Sequence, residues 1–328
     1  MWELAGKVLV AAVAARSSWV VGKGLYTSYL GSWFGRSVKV KQLGRWAVIT
    51  GATDGIGKAY AFEMARNNLN VVLISRSEER LRNVADEIAS KYNVKAKTIQ
   101  ADFTERNIYN RIEDEISNLE IGVLVNNVGM TYDYPKEFTE VSEKLILDLF
   151  HCNILSVTMM TKIVLEKMQK RNKGLIVTLS SMGCLVPMPY LTLYGALKAY
   201  IVFFTKSLAN ENRSNNVIIQ CHVPALVATK FSGFTKPNIL VPTPMESVQS
   251  SMRTADIPVL IYRTMWFHVA SQKTEVTLYL ATVANFLNKW ISESIMNTFA
   301  NSFFGSFRSK AIARNKKMAK RETRVQQE

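Results

Sequence analysis

A serine, a tyrosine and a lysine stand at spacings suited to proton chemistry in the stretch SSMGCLVPMPYLTLYGALK, residues 180–198. Tyr194 and Lys198 are four apart, so on a helix they share one face about a turn apart. An ammonium beside a phenol stabilises the phenolate and lowers a pKa otherwise near ~10. Such a tyrosine exchanges a proton with a hydroxyl or carbonyl oxygen near neutral pH. Ser181, thirteen residues before Tyr194, follows the apolar run 174–179, which reads as a buried strand. Tyr132 and Lys136 repeat the Tyr-x-x-x-Lys spacing, but Pro135 lies between them and disrupts a regular helix, and no serine precedes them at the same distance. That copy is set aside.

The residues around this stretch must bring a reactant to it. WAVIT (46–50) is a short β-rich run that leads into TGATDGIG and a helical pattern ending near Asn67. Glycines 51, 55 and 57 between a strand and a helix fit a dinucleotide cradle: the backbone approaches a pyrophosphate closely and the helix N-terminus favours its charge. A plain glycine-rich turn is the bland alternative. The second buried strand, VVLIS (71–75), ends on Arg76 with no acid until Glu78, a pattern that suits a 2′-phosphate better than a free 2′-hydroxyl. Lys58 adds positive charge nearby, and NADP(H) is expected over NAD(H).

Helical spacing over 77–92 and 104–119 brackets a strand at 96–101 before Asp102; VLVNNVG (123–129) reads as a fourth strand running into polar residues. Two helical patterns, 141–155 and 157–170, lead to the strand 174–179, a helix over about 193–210 and a last strand at 216–223. Strands alternating with helices predict an α/β fold, a doubly wound parallel sheet of Rossmann type in a single domain. Such sheets bind ligands at the carboxyl ends of their strands, where Gly51–Gly57, Arg76, Asp102, Asn126 and Ser181 all fall. Residues 230–243, with Pro237 and Pro242, read as a loop over the site.

The chain has 328 residues, 48% hydrophobic and 20% charged, a globular composition. Three scattered cysteines fit a reduced compartment, and three histidines without ligand spacing predict no metal site. The net charge of +15 gathers at the ends: residues 1–45 and 305–328 each carry +6. With no zinc or RNA-binding signature, a membrane surface is favoured over nucleic acid as the anionic partner; a solvated tail is the alternative. Residues 8–15 and 19–21 are apolar around Arg16, short of the ~20 residues a clean span needs. An interfacial or hairpin anchor, a signal peptide cleaved after Ala14 and a transit segment all fit. The expected division is a membrane-associating segment at 1–44, a nucleotide-binding catalytic domain at 45–256, an apolar extension at 257–304 and a basic tail at 305–328.

With these motifs assembled, residues 44–256 resemble the short-chain dehydrogenase/reductase family. The resemblance rests on TGATDGIG, NNVG at 126–129, Asn153, Ser181 with Tyr194 and Lys198, and PALVAT at 224–229. TDGIGKAYA, VVLISRS, IGVLVNNVGM and YGALKA are similar to one branch, the membrane-bound 17-beta-hydroxysteroid dehydrogenases and very-long-chain 3-oxoacyl-CoA reductases. The resemblance implies that Tyr194 is the proton donor or acceptor and that Lys198 holds the nicotinamide ribose. By the same resemblance Ser181, not Ser180, binds the substrate carbonyl, and Asn153 supports a water relay. It implies cofactor contacts from Gly51, Thr53, Asp54, Gly55, Ile56 and Gly57, with Asp102 at the adenine, Asn126 lining the cleft, and Val227 and Thr229 at the nicotinamide. Departures are Ala225 where the family has glycine, Val128 where it has alanine, an unmatched segment at 256–272, and an end, VQQE, without a dilysine.

The resemblance further implies a homodimer and residence on the endoplasmic reticulum membrane with a cytosolic catalytic domain; a mitochondrion or a lipid droplet is the alternative. The expected reaction is NADPH-dependent reduction of a lipid ketone, a 3-oxoacyl-CoA in very-long-chain fatty acid elongation. Its rivals are ketosteroid reduction and, from another class, a non-catalytic membrane scaffold that keeps a cofactor site.

Overall fold

The computed structural model describes residues 38–253 except 185–186, 213, 225, 235 and 239–240, together with residues 7, 15, 18, 19, 302, 305, 306, 308, 309, 312 and 313. The expectations for the N-terminal segment, for Ala225 and for residues 256–272 fall outside the described residues.

Six short runs rich in Val, Ile and Leu form one parallel sheet: β1 (Trp46–Thr50), β2 (Asn70–Ser75), β3 (Ala96–Gln100), β4 (Ile121–Asn126), β5 (Gly174–Leu179) and β6 (Val217–His222). Their order is β3-β2-β1-β4-β5-β6, so the winding reverses between β1 and β4. A crevice opens at such a reversal, at the carboxyl ends of the strands. Between the strands run α1 (Gly55–Arg66), α2 (Glu78–Lys91), α3 (Tyr109–Glu115), α4 (Glu143–Phe150), α5 (Ser156–Arg171) and α6 (Thr192–Glu211); α7 (Pro244–Arg253) follows β6.

Side-chain alternation along the strands divides the core in two. Ile49, Leu73, Val125 and Val177 pack with α1 and α2 on one face; Val48, Ile74, Leu124 and Ile176 pack with α3 and α5 on the other. Both faces are covered, as the continuous apolar runs in β4 and β5 require. Each fully buried Val, Leu or Ile contributes roughly 1.5–3 kcal/mol.

Two expectations change. The helix expected over 104–119 is only Tyr109–Glu115. Asp102 Oδ1 accepts from Thr104 N and Oγ1 at 3.0 and 2.9 Å, and this local turn competes with helix at the start of the segment. The two patterns at 141–155 and 157–170 join into one helical run, Glu143–Arg171, through a π-helical turn at His151–Leu155. Among the described residues this is the one helix long and apolar enough to cross a membrane by length and composition. Met160, Ile163, Val164 and Met168 recur at helical spacing and are buried in the sheet's core, which accounts for its apolarity.

Candidate active site

The glycine-rich turn closes the end of β1. Gly51 takes φ +67°, a left-handed conformation that favours glycine. A side chain on Gly57 would stand 2.2 Å from Gly51 O, so the first turn of α1 is pressed against the loop. Asp54 caps that helix, Oδ1 accepting from Gly55 N at 2.8 Å. Asn127 staples the turn from the next strand, its Nδ2 donating to Thr50 O at 2.9 Å and to Gly51 O at 3.2 Å. Thr50 Oγ1 in turn accepts from the backbone N of Asn127 and Val128, both at 3.0 Å.

A cleft of about 660 Å³ opens beside this turn. Gly51, Asp54, Gly55, Ile56, Arg76, Asp102, Ser181, Tyr194, Lys198, Val227 and Thr229 all line it. Four expected site residues do not. Thr53 turns to Ser75, Oγ to Oγ 3.0 Å. Gly57 lies behind the turn. Asn126 is buried, with Nδ2 donating to Thr161 Oγ1 on α5 at 2.9 Å, so the expected cleft residue is its neighbour Asn127, with Val128 and Gly129. Asn153 sits one layer deeper, fully buried in the π-helical turn. Its Nδ2 donates to Met130 O at 3.0 Å and Leu149 O at 2.9 Å, and its Oδ1 accepts from Met130 N at 3.3 Å. A methyl placed on Gly129 would meet Asn153 Oδ1 at 3.0 Å and Lys198 Nζ at 3.3 Å, so the two face one small space.

Lys58, expected to add charge at the phosphates, instead pairs with Glu87 at 2.7 Å on α2. Arg80 takes that place: one turn beyond Arg76, it lines the same end of the cleft. It was legible only as a second arginine four residues on. Lys230 and Phe231, from the loop expected over the site, and Met130, at the end of IGVLVNNVGM, line it too.

At the other end stand the proton-transfer candidates. α6 carries Tyr194 and Lys198, 8% and 4% exposed. Ser181 stands close enough to the Tyr194 hydroxyl to pull its pKa down, while Ser180 Oγ donates to Lys198 O at 2.7 Å. Lys198 Nζ donates to Leu179 O at 3.2 Å and lies 5.8 Å from the centre of the Tyr194 ring. The expected lowering of the tyrosine pKa is reversed. Burial raises Tyr194 more than Ser181 lowers it, and burial pushes Lys198 down to about 8. The ammonium sits over the ring rather than at the phenol oxygen, and burial penalises both charged forms. Burial also pushes the Cys152 and Cys221 thiols up to about 12, which leaves them poor nucleophiles.

The loop after β6 closes over this end. Thr229 packs against Gly55, Lys230 Nζ lies 3.4 Å from Asp54 Oδ2, and the Phe231 ring centre is 6.3 Å from that of Tyr194. The narrow turn and the two arginines fit a dinucleotide with an extra phosphate: Gly51 and Gly55, both at positive φ, line the cleft at the N-terminus of α1, and Arg76 and Arg80 line it too.

Known proteins match this arrangement. A zebrafish (Danio rerio) very-long-chain 3-oxoacyl-CoA reductase-B is 44% identical over 251 residues, 76% of this chain and 80% of that protein. A mouse (Mus musculus) very-long-chain 3-oxoacyl-CoA reductase is 40% identical over 263 residues, 80% of this chain and 81% of its own length. A solved short-chain dehydrogenase from Sphingobium yanoikuyae, in complex with NADPH, is 26% identical with a TM-score of 0.59, covering 64% of this chain and 85% of that one. The family model for short chain dehydrogenase matches residues 45–239, from the first strand into the loop over Tyr194. The chain therefore belongs to the short-chain dehydrogenase family of oxidoreductases.

Proposed function

We propose that this enzyme reduces the ketone of a 3-oxoacyl-CoA to the 3-hydroxyacyl-CoA with NADPH, as a step of very-long-chain fatty acid elongation. One observation carries the reaction: Ser181, Tyr194 and Lys198 share a cleft with the glycine turn and with Arg76 and Arg80. The substrate class is supported by the zebrafish and mouse relatives, each matched over most of its length.

Bound in the cleft, NADPH supplies the hydride. The turn at Gly51–Gly57 and the N-terminus of α1 would hold its pyrophosphate, Arg76 and Arg80 its 2′-phosphate, Asp102 its adenine, and Val227 and Thr229 its nicotinamide end. Ser181 donates to the ketone oxygen, and Tyr194 delivers its phenolic proton to the same atom. A raised pKa keeps Tyr194 protonated until that oxygen turns basic. Lys198 holds the ribose and stabilises the phenolate left behind. Asn153, facing Lys198 Nζ across the space at Gly129, supports the relay by which a replacement proton reaches the Tyr194 phenolate.

Tyr194→Phe is expected to lower kcat by at least about 100-fold, the scale of general acid catalysis, with NADPH affinity unchanged by fluorescence titration. Retention of the parent rate overturns the assignment. A 17-ketosteroid turned over faster than a 3-oxoacyl-CoA in side-by-side assays overturns the substrate class.

The rest of the molecule completes the proposal. Residues 1–44 anchor the enzyme to the endoplasmic reticulum membrane, 45–256 form the cytosolic catalytic domain, and 257–304 contribute an apolar extension. Two copies pair through the apolar residues exposed on α4 and α6, Leu147, Phe150, Tyr200 and Phe203.

A further inference from the structure

The helix that carries Tyr194 starts without a cap of its own. Leu191, at the N-cap position of α6, makes no side-chain cap hydrogen bond. Tyr194 lies in the first turn, the turn whose N–H groups have no intrahelical partner and which frays unless held from outside. The residue before the cap, Tyr190, takes φ +65°, a left-handed conformation costing a non-glycine residue roughly 1–2 kcal/mol. Such a backbone persists where its surroundings over-determine it.

Two contacts come from the loop after β4. Tyr132 Oη accepts from Leu193 N at 3.3 Å, and Lys136 N donates to Tyr190 O at 2.9 Å. The Tyr132–Lys136 pair set aside as chemistry is thus a brace for the helix that does carry the chemistry. The same loop ends in a 3₁₀ turn, Phe138–Glu140, whose Glu140 Oε2 accepts from Glu137 N at 2.9 Å.

The third contact comes from the other end of the chain. Arg308 Nη2 donates to both Oε atoms of Glu140 at 3.1 Å, and Nη1 lies 3.2 Å from Glu137 Oε1. The same guanidinium stands 5.2 Å from the centre of the Tyr190 ring, and Gly305 approaches that ring as well. The Arg308 side chain is 22% exposed, against 70% for Arg82 and 73% for Lys170 in surface pairs on α2 and α5. An exposed ion pair contributes little, but one planar group bound to two carboxylates and an aromatic face has its geometry fixed from three sides.

We infer that Arg308 is a positioning residue: it ties the Glu137–Glu140 turn to Tyr190 and so holds the first turn of α6, and with it Tyr194, in register with Ser181. This rests on the reductase reading only for its kinetic readout. The segment counted from the sequence as part of a basic tail therefore contributes a clamp as well as charge.

The test compares the full-length parent with Arg308→Met, Arg308→Lys and Glu140→Gln. Arg308→Met is expected to lower kcat with 3-oxoacyl-CoA about fivefold, equivalent to about 1 kcal/mol, leaving the NADPH dissociation constant within twofold. Arg308→Lys recovers part of that loss, and Glu140→Gln reproduces part of it. Hydrogen exchange at the Leu193 and Lys136 amides quickens in Arg308→Met while the β4 and β5 amides keep their protection. Unchanged kcat with unchanged exchange overturns the inference. So does a loss shared equally by cofactor binding and global unfolding temperature, which marks a general stabilising contact. A parent inactive on 3-oxoacyl-CoA overturns the substrate proposal alone, because the exchange at Leu193 and Lys136 still decides the clamp.

Discussion

Lys198, 4% exposed and bonded to Leu179 O, has its pKa pushed down to about 8 by burial. Its ordinary value is 10.5, so between those limits the unfolded chain binds more protons than the folded one. Stability contributed by this group therefore rises with pH across that window. Relative to Lys198→Met, the cofactor-free parent is expected to gain up to about 3 kcal/mol between pH 8 and 10.5, read by urea denaturation at each pH. A flat difference would mean that Lys198 is solvated. Arg76 and Arg80 make a second residue-level case, since both line the end of the cleft assigned to the 2′-phosphate. Arg76→Ala and Arg80→Ala are each expected to raise KM for NADPH by about tenfold or more, the scale of one lost charge-assisted hydrogen bond, leaving KM for NADH nearly unchanged. Equal effects on the two cofactors would place the arginines elsewhere.

The turn between β1 and α1 is held by contact with β4 as much as by its own glycines. A Cβ at Gly57 would meet the Gly51 carbonyl at 2.2 Å and Asn127 Nδ2 at 2.4 Å, and the carbonyl is backbone that cannot swing aside. Gly57→Ala is expected to abolish measurable NADPH binding and to cost about 1–3 kcal/mol in chemical denaturation, as overpacking does. Binding at parent affinity would show that the turn yields. The strands were legible because each is a short β-branched run between punctuating turns, and Tyr194 with Lys198 was legible because helical spacing places them on one face. Which of two adjacent asparagines faces the cleft was not: β4 is buried along its whole length, so no alternation marks where Asn126 turns inward and Asn127 outward. The partner of Lys58 was also hidden, since Glu87 lies on the next helix. The same holds for the π-helical turn that sets Asn153 beneath Gly129 and Lys198, for no composition distinguishes it from the α-helix on either side.

Across the whole molecule, positive charge is concentrated at the two ends of the sequence. Each end of the chain carries +6, while residues 46–304 carry the remaining +3. If the ends meet anionic headgroups, the full-length protein should float with vesicles containing phosphatidylserine, and its bound fraction should fall as salt shortens the Debye length from about 10 Å at 0.1 M to about 3 Å at 1 M. Binding that resists salt would assign the attachment to apolar residues instead. The contact between Arg308 and Glu140 spans 168 residues of sequence, whereas the last strand of the sheet ends at His222. On a chain made from its N-terminus, the sheet, the glycine turn and both arginines of the cleft exist well before Arg308 has been synthesised. The order of synthesis thus sets the clamp apart from the cofactor site: a chain stopped before Arg308 should bind NADPH as the parent does and turn over about fivefold more slowly.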